Sequence, residues 1–182
     1  GLTDAGGAFT LENIAAIAGF GAASIRALEN LEEYQSRCTA LRAKLESALR
    51  TAATSAMAPK SLAPKGATVM ALIGNGAQAE FQALAFKAIC GVTEVRLYDV
   101  DPAATEKAVR NLAGLGLNVV SCKTSQEAIL GAQIITTCTA DKQYATILTD
   151  NMVGSGVHIN AVGGDCPGKT ELHKDILLRS GI

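Results

Sequence analysis

Apolar residues fall in two rhythms along this chain, and the change between them sets its organisation. From Ser24 to Ala58 there is neither glycine nor proline, and Ile25, Leu28, Leu31, Tyr34, Cys38, Leu41, Leu45 and Leu49 recur at steps of three and four. That spacing puts them on one side of a helix, so one long amphipathic helix is predicted here. Packing on its own domain, after a break near Ser36, would hide the stripe within one chain; a seam with a second copy would hide it in a homodimer. Ahead of the helix, Gly6, Gly7, Gly19 and Gly21 surround the stretch TLENIAAIAGF, where Thr10 can cap a first helix that the glycines then break.

Beyond Pro59 and Pro64 the rhythm becomes short apolar runs alternating with helical segments. TVMALIG (68–74), EVRLYDV (94–100), NVVSC (118–122), QIITTCTA (133–140) and HINAVGG (158–164) read as strands. AEFQALAFKAIC (79–90), PAATEKAVRNLAGLG (102–116) and SQEAILG (125–131) read as helices, with Pro102 suited to a first turn. Strands apolar on both faces and separated by helices imply a parallel sheet covered on both sides, with right-handed crossovers. The expected division is residues 1–58, a glycine-rich lead-in and helix, and residues 59–182, an α/β domain.

The first strand runs straight into GNGAQA, Gly74 to Ala79, a G-x-G-x-x-A opening a helix. Gly74 permits the tight turn, Gly76 lets backbone approach a pyrophosphate, and Ala79 allows close contact between helix and strand. The helix N-terminus offers unpaired N–H groups to phosphates. At the end of the second strand, 25 residues past Gly74, LYDVD supplies Asp99. A carboxylate there accepts hydrogen bonds from an adenosine ribose and repels a 2′-phosphate, which favours NAD over NADP. The order of strand, glycine turn, helix, strand and acid therefore predicts a Rossmann-type doubly wound parallel sheet binding NAD. The plainer alternative is an ordinary tight turn, with Asp99 capping the next helix.

Composition narrows the partners. The chain has 182 residues, 48% of them hydrophobic, with 16 basic and 17 acidic residues interspersed and no Trp. No basic stripe or aromatic platform suits nucleic acid, and no apolar run reaches the length of a membrane span. Five cysteines without CxxC spacing suit reduced thiols in a cytoplasmic protein, and with only His158 and His173 to join them no metal site is expected. One stretch points elsewhere: GGDCPGKT, residues 163–170, spells the phosphate-loop pattern G-x-x-x-x-G-K-[ST]. Such a loop needs successive backbone N–H groups, which Pro167 interrupts, and Asp165 would set a negative charge beside the phosphates. At the carboxyl end of a late strand, near the nicotinamide side of the crevice, the same Asp can instead do proton chemistry.

ALRTAATSAMAPKSLAP, MALIGNGAQAEFQALAFKAICGVTEVRLYDVD, TTCTADKQYATIL and HINAVGGDCPGKTEL together resemble the ornithine cyclodeaminase and mu-crystallin family, from about Leu49 to Ser180. The likeness is strongest to its bacterial ornithine cyclodeaminases, and it implies conversion of L-ornithine to L-proline and ammonia on bound NAD. Carried over by position, it implies Asp165 as the catalytic acid/base and Arg50 facing cofactor phosphates or substrate carboxylate. It also implies cofactor contacts at Ala77, Gln78, Asp99, Thr139, Val162, Gly163, Gly164 and Lys169. On spacing alone Arg50 equally suits a solvated helix face, and Lys169 a loop cation. Related members reduce ketimines or act as alanine dehydrogenases, and mu-crystallin illustrates a binding role. The family's N-terminal half-domain, which supplies much of the substrate pocket, is not recognisable in residues 1–45. A non-catalytic NAD-binding module is therefore the competing expectation.

Overall fold

The computed structural model describes residues 8–140, 146–164 and 169–180, with side chains from residue 18 onward. The chain divides into two compact units, Gly1–Glu46 and Ser47–Ile182. The division falls ahead of the prolines that marked the expected boundary, because Ala48, Ala52 and Ala56 are buried.

Among the described residues the first unit is helix throughout. Helix α1 (Ala8–Leu62) runs unbroken past Gly19, Gly21 and Ser36, and Pro59 lies in its final turns. The expected break at the glycines is thus absent. Each glycine costs about 1 kcal/mol against alanine in a helix, but Ala15, Ala16, Ala18, Ala22 and Ala23 around them are the strongest helix formers available. In this unit Phe20, Ile25, Leu28, Leu31, Tyr34, Leu41 and Leu45 are exposed, Leu28 to 66%. No fold-back at Ser36 covers them.

The second unit is built on a five-stranded sheet of β1 (Val69–Ile73), β2 (Glu94–Tyr98), β3 (Asn118–Ser121), β4 (Ile134–Thr137) and β5 (His158–Ala161). Their order is β3-β2-β1-β4-β5 and every pairing is parallel. In β1, Met70 and Leu72 point to one face and Ala71 and Ile73 to the other, all buried, which is why the run reads as continuously apolar. Helices α2 (Ala79–Cys90) and α3 (Pro102–Leu112) cover the first face with Phe86, Ala108 and Leu112, joined by Ala56. The short α4 (Ser125–Ile129) and α5 (Lys174–Arg179) cover the second with Ala128, Ile129 and Ile176. The sheet is therefore doubly wound, and the strand order reverses direction between β1 and β4.

Local chemistry sets the ends. Gly91, at φ +78°, closes α2 and donates its N–H to the carbonyl of Lys87. Asp101 caps α3 by accepting from the N–H of Ala103 at 3.0 Å, with Pro102 next in line. Thr124 caps α4 through the N–H of Glu127 at 3.1 Å, while the Glu127 carboxylate reaches back to the N–H of Lys123. Among the described residues no helix is long and apolar enough to cross a membrane.

Candidate dinucleotide cleft

Because β1 and β4 are neighbours whose chains leave the sheet towards opposite faces, a crevice opens at their carboxyl ends. Two adjoining cavities occupy it and share Gly76, Cys138, Thr139 and Ala140 as walls. One, of about 310 Å³, is bordered further by Gly74, Asp99 and Val100. The other, of about 540 Å³, is bordered by Thr51, Ala77, Gln78, Val162, Gly163 and Lys169.

The two fingerprint glycines play opposite parts. Gly74 has φ +95°, and a Cβ there would lie 2.8 Å from the Cys138 carbonyl carbon and 2.9 Å from the Thr139 nitrogen. Its N–H donates to the Tyr98 carbonyl at 2.9 Å, and its own carbonyl accepts from the Cys138 Sγ at 3.0 Å. Gly74 is thus the point where β1, β2 and β4 meet backbone to backbone. At Gly76 an added Cβ would meet nothing within 4 Å. The chain's own packing does not require glycine there, so the missing side chain leaves room for something that enters the cleft.

Further features fit a dinucleotide. No side chain caps the first turn of α2, leaving that helix end open to a phosphate oxygen. Gln78 Oε1 is buried without a partner, an acceptor waiting for a donor. Asp99 does not cap α3, since Asp101 does; its carboxylate instead accepts from the N–H of Asn75 at 2.5 Å and of Asp101 at 2.9 Å. Those bonds aim the acid at the cavity it borders while leaving further lone pairs for ribose hydroxyls.

Asn75 and Glu171 carry no sequence signal of their own, yet both hold the cleft. Asn75 is fully buried, and its Nδ2 donates to Thr105 Oγ1 at 2.9 Å, tying the glycine turn to α3. Glu171, 3% exposed, accepts from Thr137 Oγ1 at 2.6 Å, from Thr139 Oγ1 at 2.6 Å and from the Thr139 N–H at 3.0 Å. Its side chain lies over Gly163, where a Cβ would be 2.0 Å from Oε1. The N–H groups of Val162 and Gly163 in turn donate to the Thr137 carbonyl. Burial, with Glu171, Asp99 and Glu80 adding negative charge nearby, pushes the Cys138 thiol up to about 12, so it keeps its proton at neutral pH.

The residues singled out from sequence fall into three groups. Gly74, Gly76, Ala77, Gln78, Asp99, Thr139, Val162, Gly163 and Lys169 all border the two cavities. Arg50 is exposed and borders neither, while its neighbour Thr51 does; Gly164 is exposed just beyond Gly163. Asp165 lies outside the described residues. Lys169 and Thr170 are not helical, and the chain goes on to a bridge between Leu148 and Leu172. A phosphate loop would start a helix at that point, and Lys169 and Thr170 do not open one.

The sequence profile of the ornithine cyclodeaminase/mu-crystallin family matches residues 38–182. An ornithine cyclodeaminase of Brucella suis biovar 1 is 73% identical over 135 residues, 74% of this chain and 38% of that relative. Among solved structures, a lysine cyclodeaminase described for its recognition of L-lysine, L-ornithine and L-2,4-diaminobutyric acid superposes with a TM-score of 0.69. It shares 36% identity and covers 75% of this chain and 40% of its own. An archaeal alanine dehydrogenase dimer with bound NAD superposes at 0.68, with 34% identity over 75% of this chain and 41% of its own. The chain thus spans about two-fifths of the length of the relatives it matches.

Proposed function

Because the chain belongs to the ornithine cyclodeaminase/mu-crystallin family, we propose that it is the cofactor-binding portion of an NAD-dependent ornithine cyclodeaminase. The observation that carries this reading is the cleft itself: an open glycine at Gly76 beside an uncapped helix and a fixed carboxylate at Asp99. The 73% identity to a cyclodeaminase, against 34% to the solved alanine dehydrogenase, favours L-ornithine as substrate over alanine. The reaction would be L-ornithine to L-proline and ammonia, without net oxidation. The reading places it in a reducing cytosol, where Cys38, Cys90, Cys122 and Cys138, all free, would remain thiols.

In this reading the first turn of α2 and the Gly76–Gln78 backbone hold the pyrophosphate, and Asp99 holds the adenosine ribose. Thr139, Val162 and Gly163 line the far side of the cleft. Asp165 takes and returns protons at the substrate amines, and Arg50 and Lys169 offset negative charge of cofactor or substrate. Bound NAD supplies a hydride acceptor that gives the hydride back before product leaves.

Incubation with NAD⁺ and millimolar L-ornithine tests the proposal. Proline and ammonia without net NADH support it; net NADH from alanine supports the dehydrogenase instead. NADH binding with no product from either assigns this chain the role of a binding module.

Asp99 yields a separate expectation. Its carboxylate should cost a 2′-phosphate about 1–2 kcal/mol, so NADPH should bind roughly 5- to 30-fold more weakly than NADH. Fluorescence titration reads both, and equal affinities would remove Asp99 from the ribose.

For assembly we propose a homodimer seamed on the exposed face of α1 around Leu28 and Leu31. Burying each such leucine contributes about 1.5–3 kcal/mol. Light scattering should give twice 18.7 kDa, and Leu28→Glu should return it to the monomer mass. A monomer from the unmodified chain rejects the seam.

A further inference from the structure

We infer that Glu171 is a positioning residue that fixes Thr139 as an acceptor-only contact in the cleft, so that whatever part of the ligand meets Thr139 must donate a hydrogen bond. The inference rests on the NAD-binding reading and extends it to a residue which that reading does not use.

A carboxylate has acceptors only, and a threonine hydroxyl has one proton. Thr139 Oγ1 lies 2.6 Å from Glu171 Oε1, and the Thr139 N–H lies 3.0 Å from the same oxygen. Both of that residue's donors are thereby spent on Glu171. Thr139 nonetheless borders both cavities, so what it offers a ligand is hydroxyl lone pairs. A phosphate oxygen, itself an acceptor, finds no partner there; a ribose hydroxyl or a carboxamide NH₂ does. The cleft is thus sorted by polarity, with donors at the first turn of α2 and an acceptor across from them at the end of β4.

The carboxylate is held to this task. Its other oxygen accepts from Thr137 Oγ1 at 2.6 Å, and the absence of a side chain at Gly163 makes the space that Oε1 occupies. The backbone carbonyl of Glu171 also accepts from the N–H groups of Ile147 and Leu148, at 2.8 and 3.0 Å. One residue therefore sets the end of β4, the turn after β5 and the chain at 147–148.

The test is a set of double-mutant cycles read as NADH affinity by fluorescence titration, with the thermal midpoint of each ligand-free variant recorded beside it. Thr139→Val should weaken NADH roughly five- to tenfold, the loss of one hydrogen bond, and Thr139→Ser should restore it. Glu171→Ala should weaken NADH by a similar factor. Glu171→Gln should stay within about twofold, because its amide oxygen can face Thr139 while its NH₂ faces the Thr137 hydroxyl. In the Thr139→Val background, Glu171→Ala should cause no further loss of affinity, although it still lowers the thermal midpoint.

Glu171→Asp, which shortens the side chain and draws the carboxylate back from Thr139, supplies the same cycle if Glu171→Ala does not fold. Additive losses in both backgrounds, or unchanged affinity in Thr139→Val, overturn the inference while the NAD reading stands. Failure of the unmodified protein to bind NADH removes both.

Discussion

Replacing Gly74 by alanine should destabilise the sheet-bearing unit by about 2–4 kcal/mol and abolish measurable NADH binding. Two costs combine: a Cβ at φ +95° is strained in itself, and it would lie 2.8 Å from the backbone of Cys138, which is not a flexible side chain that can swing away. The strands β1 and β4 would have to part at the end where the cleft opens. Gly76→Ala is the control, since its Cβ meets no atom of the chain. Its stability should stay within about 0.5 kcal/mol of the unmodified protein, while NADH affinity still falls. Urea unfolding and NADH titration on the two variants separate the cases. Full affinity in Gly76→Ala would show that the ligand does not lie along this turn.

The other large effect is expected at Asp165. Asparagine keeps the size and much of the hydrogen bonding of aspartate but cannot carry the proton between substrate amines. Asp165→Asn should therefore lower proline formation by about 10²- to 10⁴-fold, the usual contribution of a positioned acid/base. NADH affinity should change by less than about twofold, because the cofactor's phosphates and ribose are assigned to other residues. Single-turnover proline assays alongside NADH titration check this. A parallel loss of binding and turnover would make Asp165 a cofactor contact.

What was legible in the chain, and what was not, follows from the range of the interactions. The five strands appear where the apolar runs predicted them; in the central VMALI and IITT, burial on both faces removes polar interruptions, whereas β3 and β5, at the sheet edges, are only partly buried. Helix α2 appears between its predicted limits because the glycine turn precedes it and Gly91 stops it, all within the local sequence. Helix α1 ran past its expected start because glycine is a cost rather than a prohibition, and a surrounding run of alanine outweighs it.

The residues that hold the cleft were harder to find. Asn75 occupies the variable position of G-x-G, and its role depends on Thr105, thirty residues away. Glu171 sits in a stretch that already drew notice for Lys169 and Asp165, but its partners Thr137 and Thr139 are more than thirty residues earlier. No periodicity or motif spacing encodes contacts of that kind. The helical register of Arg50 was likewise out of reach from spacing, and Thr51 beside it is the residue that meets the cavity.

The contact between Gly74 and Cys138 also bears on how the protein is made. During synthesis β1, β2 and β3 emerge first and can pair among themselves, since their helices and partners all lie between residues 69 and 121. The cleft cannot exist at that stage: its far wall is Cys138 and Thr139, and the carboxylate that orders the wall is Glu171, a hundred residues after the first strand. A cofactor would therefore meet only the near wall on the nascent half-sheet, the glycine turn and Asp99, without the far wall that encloses it. In the NAD-binding reading its full stabilisation by mass action would come only once β4 and β5 have docked. Variants that weaken β1–β2–β3 pairing should thus be lost during biogenesis even where excess NAD protects the finished protein.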